Sequence, residues 1–142
     1  MSEATEVKDI DEVARVFFAA FDNRAGKKPD IAGLRRLFID GAIIVKVANG
    51  KPQVMDVDAF VVPREALLDG GALTEFHEWE DEARTSFFGG IAWRHCTYRK
   101  SGTMNGAWFD GAGMKVMSFV RSEGAWRIAS VLWQDEEDGL VL

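Results

Sequence analysis

The chain has 142 residues, of which 47% are apolar, and a formal net charge of −6. This length predicts a single domain over residues 1–142 with one hydrophobic core, and residues 135–142 are expected to form a flexible tail. The acidic charge argues against a nucleic-acid partner and against an anionic membrane surface. The N-terminal segment lacks the apolar stretch of a secretory signal and no apolar run approaches ~20 residues, so we expect a cytoplasmic protein.

Three helical segments are predicted in the first half of the chain. The spacing of Asp9 and Glu12 resembles a capping box at the start of the first helix. Asp30 is expected to cap a short second helix over residues 31–38. A third helical region covers about residues 58–68, with Pro63 starting a new segment inside it and Gly70-Gly71 ending it.

Strands dominate the rest of the chain. A β-branched run at residues 42–47 ends at Asn49-Gly50, which predicts a hairpin turn into a short return strand at 51–56. Residues 74–87 and 91–100 flank Gly89-Gly90, and residues 114–121 and 126–134 flank a second turn. This order predicts an α+β fold in which the helices pack on one face of a bent antiparallel sheet.

Six phrases in this order resemble the nuclear transport factor 2-like superfamily, including its SnoaL-like and ketosteroid-isomerase-like members. They are "FFAAFDN", "LRRLFIDGAIIV", "FHEWE", "FFGGIAWRHCTY", "KVMSFVRSEGAWRI" and "ASVLWQDE", and the last three are most similar to an uncharacterised bacterial branch. The resemblance implies a cone-shaped (cystatin-like) fold in which a curved sheet wraps around the helices and leaves an apolar pocket. It also implies a homodimer through the outer face of the sheet.

The resemblance does not carry the steroid-isomerase mechanism with it. Aligned by these phrases, the family's general base, Tyr and protonated Asp fall at Lys46, Phe17 and Met117. Neither a Phe nor a Met can donate the hydrogen bonds that this mechanism needs. If the chain is an enzyme, lyase- or isomerase-type proton transfer is therefore expected by another route.

The histidines and the cysteine of the stretch 75–99 do not form one site. A two-residue turn at Gly89-Gly90 places His95 opposite Arg84 and His77 opposite Gly102, roughly 23 Å apart at ~3.3 Å per residue. A shared metal ion is excluded by that distance. Cys96 and His95 point to opposite faces of a strand, so they cannot form a nucleophile–base pair, and a lone cysteine excludes an intramolecular disulfide and a thiolate zinc site.

Strand alternation predicts which side chains of this hairpin face the cone. The inner set is His77, Trp79, Asp81, Ala83, Thr85, Ala92, Arg94, Cys96 and Tyr98, and the outer set is Phe76, Glu78, Glu80, Glu82, Arg84, Trp93, His95, Thr97 and Arg99. An inward His77 is a candidate general base, or it hydrogen-bonds the backbone. Arg94 binds either a ligand oxygen or an internal acid such as Asp81 or Asp135. Tyr98 is a candidate oxyanion donor, or its hydroxyl merely reaches solvent.

The remaining candidates line the expected pocket. Lys46 is either a cleft lysine with a functional role or a strand lysine whose ammonium reaches water. The proposed ligand contacts are Arg94, Lys46, Phe17, Phe21, Cys96, Met117, Phe119, Val131 and Trp133. We expect a homodimer that binds a small apolar or weakly acidic molecule, with no cofactor and no metal. The alternative is a non-enzymatic interaction module that uses the sheet face and the C-terminal tail, with a pocket filled by its own aromatic side chains.

Overall fold

The computed structural model describes residues 2–142. In chain order its helices and strands are α1 (Glu3–Ala19), a 3₁₀ turn (Arg24–Gly26), α2 (Ile31–Arg36), β1 (Phe38–Ala48), β2 (Lys51–Met55), α3 (Val57–Asp69), β3 (Leu73–Phe88), β4 (Ile91–Met104), β5 (Ala107–Ser122) and β6 (Ala125–Asp135). The predicted α+β class is therefore correct, since the helices lie in the first half of the chain and pack on a sheet whose strands β3 to β6 fill the second half.

The helices follow the sequence pattern with two corrections. The first helix starts six residues earlier than Asp9, at Glu3, because the Ser2 side chain accepts a hydrogen bond from the Thr5 amide. Asp30 caps α2 as predicted, through a hydrogen bond from the Gly33 amide. Pro63 lies inside α3 and does not start a new segment. Phe60, Val61 and Leu68 are buried on either side of Pro63, and this packing offsets the hydrogen bond that proline cannot donate.

The six strands form one sheet in the order β2-β1-β6-β5-β4-β3. Only the β1–β6 pair is parallel among residues 2–142, and the other pairs are antiparallel. Asn49-Gly50 forms the predicted hairpin turn, with φ of 52° and 73°. Asn105-Gly106 forms another, with φ of 50° and 86°, and joins β4 to β5 through a segment that the sequence analysis left unassigned.

A β-bulge at Asp81 decides which side chains of β3 face the helices. The predicted register at the Gly89-Gly90 end is correct, because His95 lies opposite Arg84 and Thr85 opposite Arg94. The register shifts by one residue between Glu80 and Glu82, so His77 lies opposite Ser101 and not Gly102. One extra residue reverses the alternation beyond it. The inward set before the bulge is Phe76, Glu78 and Glu80, and the predicted inward placement of His77, Trp79 and Asp81 is wrong.

The core lies between α1, α3 and the concave face of the sheet. Its fully buried side chains include Phe17, Leu34, Ile44, Tyr98, Met117, Phe119, Ile128 and Val131. The α1 ring of Phe17 contacts Phe21 edge to face and stacks with Phe60 of α3. Within residues 2–142, no helix combines the length and the apolar character needed to cross a bilayer.

Candidate ligand-binding cavity

A cavity of about 330 Å³ opens between the helices and the wide end of the sheet. Its wall is mostly apolar and includes Phe17, Phe21, Phe60, Leu68, Leu73, Phe76, Met104, Phe109 and Trp133. The polar side chains that line it are Lys46, Arg64, Glu78, Lys100 and Lys115. An aromatic wall with a few polar groups at fixed positions is the usual composition of a small-molecule site.

One buried ion pair stands on the cavity wall. Lys115 of β5 is 4% exposed, and its ammonium lies 3.1 Å from the carboxylate of Glu78. The same ammonium lies 4.1 Å from the centre of the Tyr98 ring and 5.0 Å from that of Trp133. A buried ammonium needs such partners, because desolvation of an isolated charge is costly. Glu78 therefore supplies Lys115 with an opposite charge inside an aromatic environment.

A second polar cluster spans β5 at a glycine, where no side chain separates β4 from β6. Tyr98 of β4, Gly113 of β5 and Asp135 of β6 occupy one row of the sheet. The Tyr98 hydroxyl donates to Asp135 across Gly113, and the Lys100 ammonium donates to the other Asp135 oxygen at 2.9 Å. A Cβ on Gly113 would overlap the Tyr98 hydroxyl, so only glycine permits this contact.

The charge states of this cluster follow from its contacts. Burial raises the pKa of Asp135, but the hydrogen bonds from Lys100 and Tyr98 outweigh burial and leave that pKa below its ordinary value. Burial and the hydrogen bond to Asp135 both raise the pKa of Tyr98. Asp135 is therefore an anion and Tyr98 a neutral phenol whose proton already has an acceptor.

Arg64 of α3 is a cation of the cavity wall that no carboxylate neutralises at short range. Its guanidinium lies 4.3 Å from the centre of the Phe60 ring and 5.4 Å from that of Trp133, and one N–H donates to the Phe60 carbonyl oxygen at 2.9 Å. Among residues 2–142, no carboxylate oxygen lies within 4.0 Å of an Arg64 guanidinium nitrogen, the distance that defines an ion pair. Burial lowers the pKa of Arg64, while the more distant Glu78 and Asp135 act in the opposite direction.

Some of the predicted ligand contacts line the cavity, and the others belong to the packed core. Phe17, Phe21, Lys46 and Trp133 line the cavity. Met117, Phe119 and Val131 are at most 1% exposed and belong to the packed core, outside the lining. Cys96 is also buried outside the lining, and burial raises the pKa of its thiol.

Arg94 does not reach the cavity, because acidic side chains of the protein already hold it. Its guanidinium donates to both oxygens of Glu80, at 2.9 and 2.7 Å, and to Asp11 at 2.7 Å. Thr85 accepts a further hydrogen bond at 2.8 Å. The internal ion pair is thus the correct reading of Arg94. Its partners are Glu80 and Asp11. The expected partners Asp81 and Asp135 do not bind it, because the bulge turns Glu80 inward.

The two histidines lie outside the cavity lining. His77 stacks on Trp79, with 4.3 Å between ring centres, and lines a surface hollow beside Asp22 and Arg24. Burial and the charge of Arg24 lower the pKa of His77, while Asp22 raises it. His95 lies opposite Arg84 on the outer face of the sheet. No group of three or more His, Cys, Asp or Glu side chains in residues 2–142 is arranged to hold a metal ion.

Most of the polar residues of the cavity were missed by the sequence analysis, although some had a signal. Lys115 lies two residues before Met117 on β5, so alternation predicts that it faces inward. Arg64 lies four residues after Phe60 and four before Leu68, on one stripe of α3. Glu78 had no usable signal, because its orientation depends on the bulge.

Comparison with solved structures identifies the fold. A protein from Kribbella flavida superposes with a TM-score of 0.78 at 17% identity, covering 96% of this chain and 94% of that one. An NTF2-like protein of unknown function from Silicibacter pomeroyi has a TM-score of 0.67 at 21% identity, with 96% and 100% covered. An NTF2-like superfamily protein from Salmonella enterica has a TM-score of 0.76 at 13% identity, with 93% and 92% covered.

The chain therefore has the nuclear transport factor 2-like fold, a curved and unclosed six-stranded sheet around N-terminal helices. No protein-family model matches the sequence. No curated protein sequence matches it either. At these identities the likeness concerns the fold, which supports many functions.

Proposed function

We propose that this protein binds a small, mostly apolar molecule in the cavity between the helices and the concave face of the sheet. The observation that carries this proposal is the open cavity of about 330 Å³ with its aromatic wall. A volume at the lower end of the usual range for ligand pockets suits a molecule of modest size. The interaction-module alternative requires a cone filled by the protein's own aromatic side chains. The open cavity supports ligand binding over that alternative.

The test is ligand-dependent stabilisation with a blocked cavity as comparison. A ligand at a hundredfold excess over its Kd stabilises the folded protein by ~2.7 kcal/mol. In thermal-shift screening of small apolar molecules, we expect hits with the wild type and with Met114→Trp, whose position lies on the outer face. Met104→Trp fills the cavity and should abolish them. Stabilisation that survives Met104→Trp would overturn the proposal.

Proton transfer on the bound molecule is the chemistry that the lining favours. Glu78 is the carboxylate of the cavity wall, and its ion pair with Lys115 at 3.1 Å holds it in a fixed position for the role of general base. A carbon-bound proton beside a polar group of the ligand would pass to Glu78 and return at another carbon, as in lyase- or isomerase-type reactions. Tyr98 has no proton to offer the ligand, because its hydroxyl donates to Asp135.

Isotope exchange separates this chemistry from simple binding. In D₂O, the wild-type protein should exchange carbon-bound hydrogens of a carbonyl compound that stabilises it in the thermal-shift screen. Proton NMR measures the rate of this exchange. Glu82→Gln, on the outer face of the same strand, should exchange at the wild-type rate. Glu78→Gln should lose at least about a hundredfold of the rate, since general-base catalysis contributes 10²–10⁴-fold. Equal rates in both variants would refute the role of Glu78.

We also propose that two copies associate through the outer face of the sheet. Leu132 and Val116 are 42% exposed and lie side by side in one row, while Trp93 at 45% and Ile43 at 51% lie in the next outward row, opposite Ser118 and Ser130. Adjacent apolar side chains on neighbouring strands form a contiguous patch, which is typical of an interaction surface. An isologous dimer would cover this patch on both copies.

A further inference from the structure

The charge of the cavity lining differs in sign from the charge of the whole chain. Four cationic side chains line the cavity, namely Lys46, Arg64, Lys100 and Lys115, while the chain carries a net −6. Two of these cations are neutralised: Lys115 by Glu78 at 3.1 Å and Lys100 by Asp135 at 2.9 Å. Within the described residues 2–142, neither Lys46 nor Arg64 forms an ion pair. The cavity therefore has two positive charges in excess.

The surroundings of Arg64 leave its hydrogen-bond donors available. The ring of Phe60 covers the guanidinium, and one N–H is used by the Phe60 carbonyl oxygen. A guanidinium carries five N–H donors in a planar fork that matches the two oxygens of a carboxylate. Contact with the Phe60 and Trp133 rings restricts the guanidinium beforehand, so binding of a carboxylate costs less conformational entropy of Arg64.

We propose that the ligand of this cavity is a small carboxylic acid with an apolar body, and that Arg64 binds its carboxylate. The inference rests on the proposed function and names the chemical class of its ligand. The apolar body packs on Phe17, Phe21 and Trp133, which line the cavity together with Arg64. Lys46 adds a second positive charge on β1, where it lies beside Trp133.

Matched acids and amides test this assignment. We would measure affinities by titration calorimetry for benzoate, cinnamate, octanoate and decanoate, and for the corresponding primary amides, which keep the shape and lose the charge. We expect at least one of the acids to bind the wild type at least about tenfold more tightly than its amide, because a charge-assisted bidentate pair is stronger than a neutral hydrogen bond. If every amide that binds does so as tightly as its acid, the carboxylate assignment is overturned.

Variants of Arg64 distinguish the binding of the carboxylate by Arg64 from the binding of the apolar body by the cavity. Arg64→Met should remove the preference for acids while the amides still bind. Arg64→Lys should restore part of the preference, since it keeps the charge and lacks the fork. Arg15→Met removes the same charge from an exposed position on α1, where Arg15 pairs with Glu12, and should behave as the wild type.

The outcomes distinguish the two proposals. An acid preference that persists in Arg64→Met overturns the role of Arg64 and leaves the cavity as the binding site. Failure of every acid and every amide to bind the wild type overturns both the ligand class and the proposed function. If Arg64→Met is too unstable for calorimetry, the acid and amide affinities of Arg64→Lys are compared with those of Arg15→Met. An Arg64→Lys variant that prefers acids over amides as strongly as Arg15→Met does would refute a bidentate anchor.

Discussion

Two glycines of β5 have different functions although both lie on the inward face of the same strand. Gly113 lies beneath the Tyr98–Asp135 hydrogen bond, where an added Cβ would meet the Tyr98 hydroxyl and the Gln134 carbonyl oxygen. Gly111 faces the Lys100 side chain, whose Cε lies 3.1 Å from such a Cβ. The end of a lysine side chain can move aside, but a strand backbone and a buried ring cannot.

We therefore expect Gly113→Ala to destabilise the protein by about 2 kcal/mol, which is typical of overpacking in a well-packed interior. Gly111→Ala is the matched control and should change the free energy of unfolding by less than about 1 kcal/mol. Urea denaturation measures both. Equal losses in the two variants would contradict the close approach of Tyr98 to β5.

Asp135 should give the protein an acid-sensitive component of stability. Its pKa is below the ordinary value of ~3.9 in the folded state, so the stabilisation is complete above that value and is lost as the pH falls through the folded pKa. Asp135→Asn should cost about 2 kcal/mol near neutral pH, because it removes a charged acceptor from Lys100 and Tyr98.

The difference between the wild type and Asp135→Asn should shrink as the pH is lowered below about 4, as measured by urea denaturation across a pH series. Asp138→Asn in the exposed tail is the control and should follow the wild-type curve. A difference that stays constant with pH would show that Asp135 titrates in the same range folded and unfolded.

At the scale of elements, the bulge at Asp81 joins the two halves of β3. It allows Glu80 to bind Arg94 and Glu78 to bind Lys115, while Thr85 and Ala83 beyond it still face inward. If the same residues paired regularly without a bulge, the carboxylates on one side would turn to the outer face. Two nearly buried cations would then lack partners, and each uncompensated charge is costly.

Deletion of Asp81 removes the unpaired residue and leaves Glu80 opposite Tyr98 and Glu82 opposite Thr97 as consecutive ladder positions, so we expect both ion pairs to survive and the free energy of unfolding to change by less than about 2 kcal/mol. Asp81→Ala keeps the bulge and removes only an exposed contact to Arg99, so we expect a change within about 0.5 kcal/mol. Urea denaturation and circular dichroism compare the two. A deletion variant that fails to fold while Asp81→Ala folds would contradict the assignment of Asp81 as the unpaired residue.

The same bulge sets the limit of what the sequence predicts. Hairpin turns such as Asn49-Gly50 and the cap at Asp30 are local signals, and they were correctly assigned from the residues themselves. Alternation placed Cys96, Tyr98 and Arg94 inward, since β4 is regular beside β5. The orientation of Glu78 depends on one unpaired residue that no composition or period reveals. The anchor of the site was therefore assigned to Arg94, while the guanidinium that lines the cavity is that of Arg64.

At the scale of the whole molecule, the sheet separates two surfaces with different properties. The concave face encloses the cavity, and the outer face presents the apolar row of Leu132 and Val116. Neighbouring inward and outward side chains alternate along β6, so Trp133 belongs to the cavity and Leu132 to the proposed dimer contact.

We expect Leu132→Glu to convert a dimer into a monomer without unfolding it, because the substitution places a charge in the centre of the proposed contact. Light scattering after size-exclusion chromatography measures the mass. Leu140→Glu, at 45% exposure in the C-terminal tail, is the control and should remain dimeric. Dissociation by the tail variant alone would move the contact from the sheet to the tail.

The central claim, that a small acid binds inside the cone, is tested most directly by methyl NMR of the wild-type protein titrated with octanoate. The account predicts shifts of the methyl signals of Met104 and Leu73, which line the cavity, while those of Met114 and Leu132 on the outer face stay in place. Shifts confined to Met114 and Leu132 would contradict it.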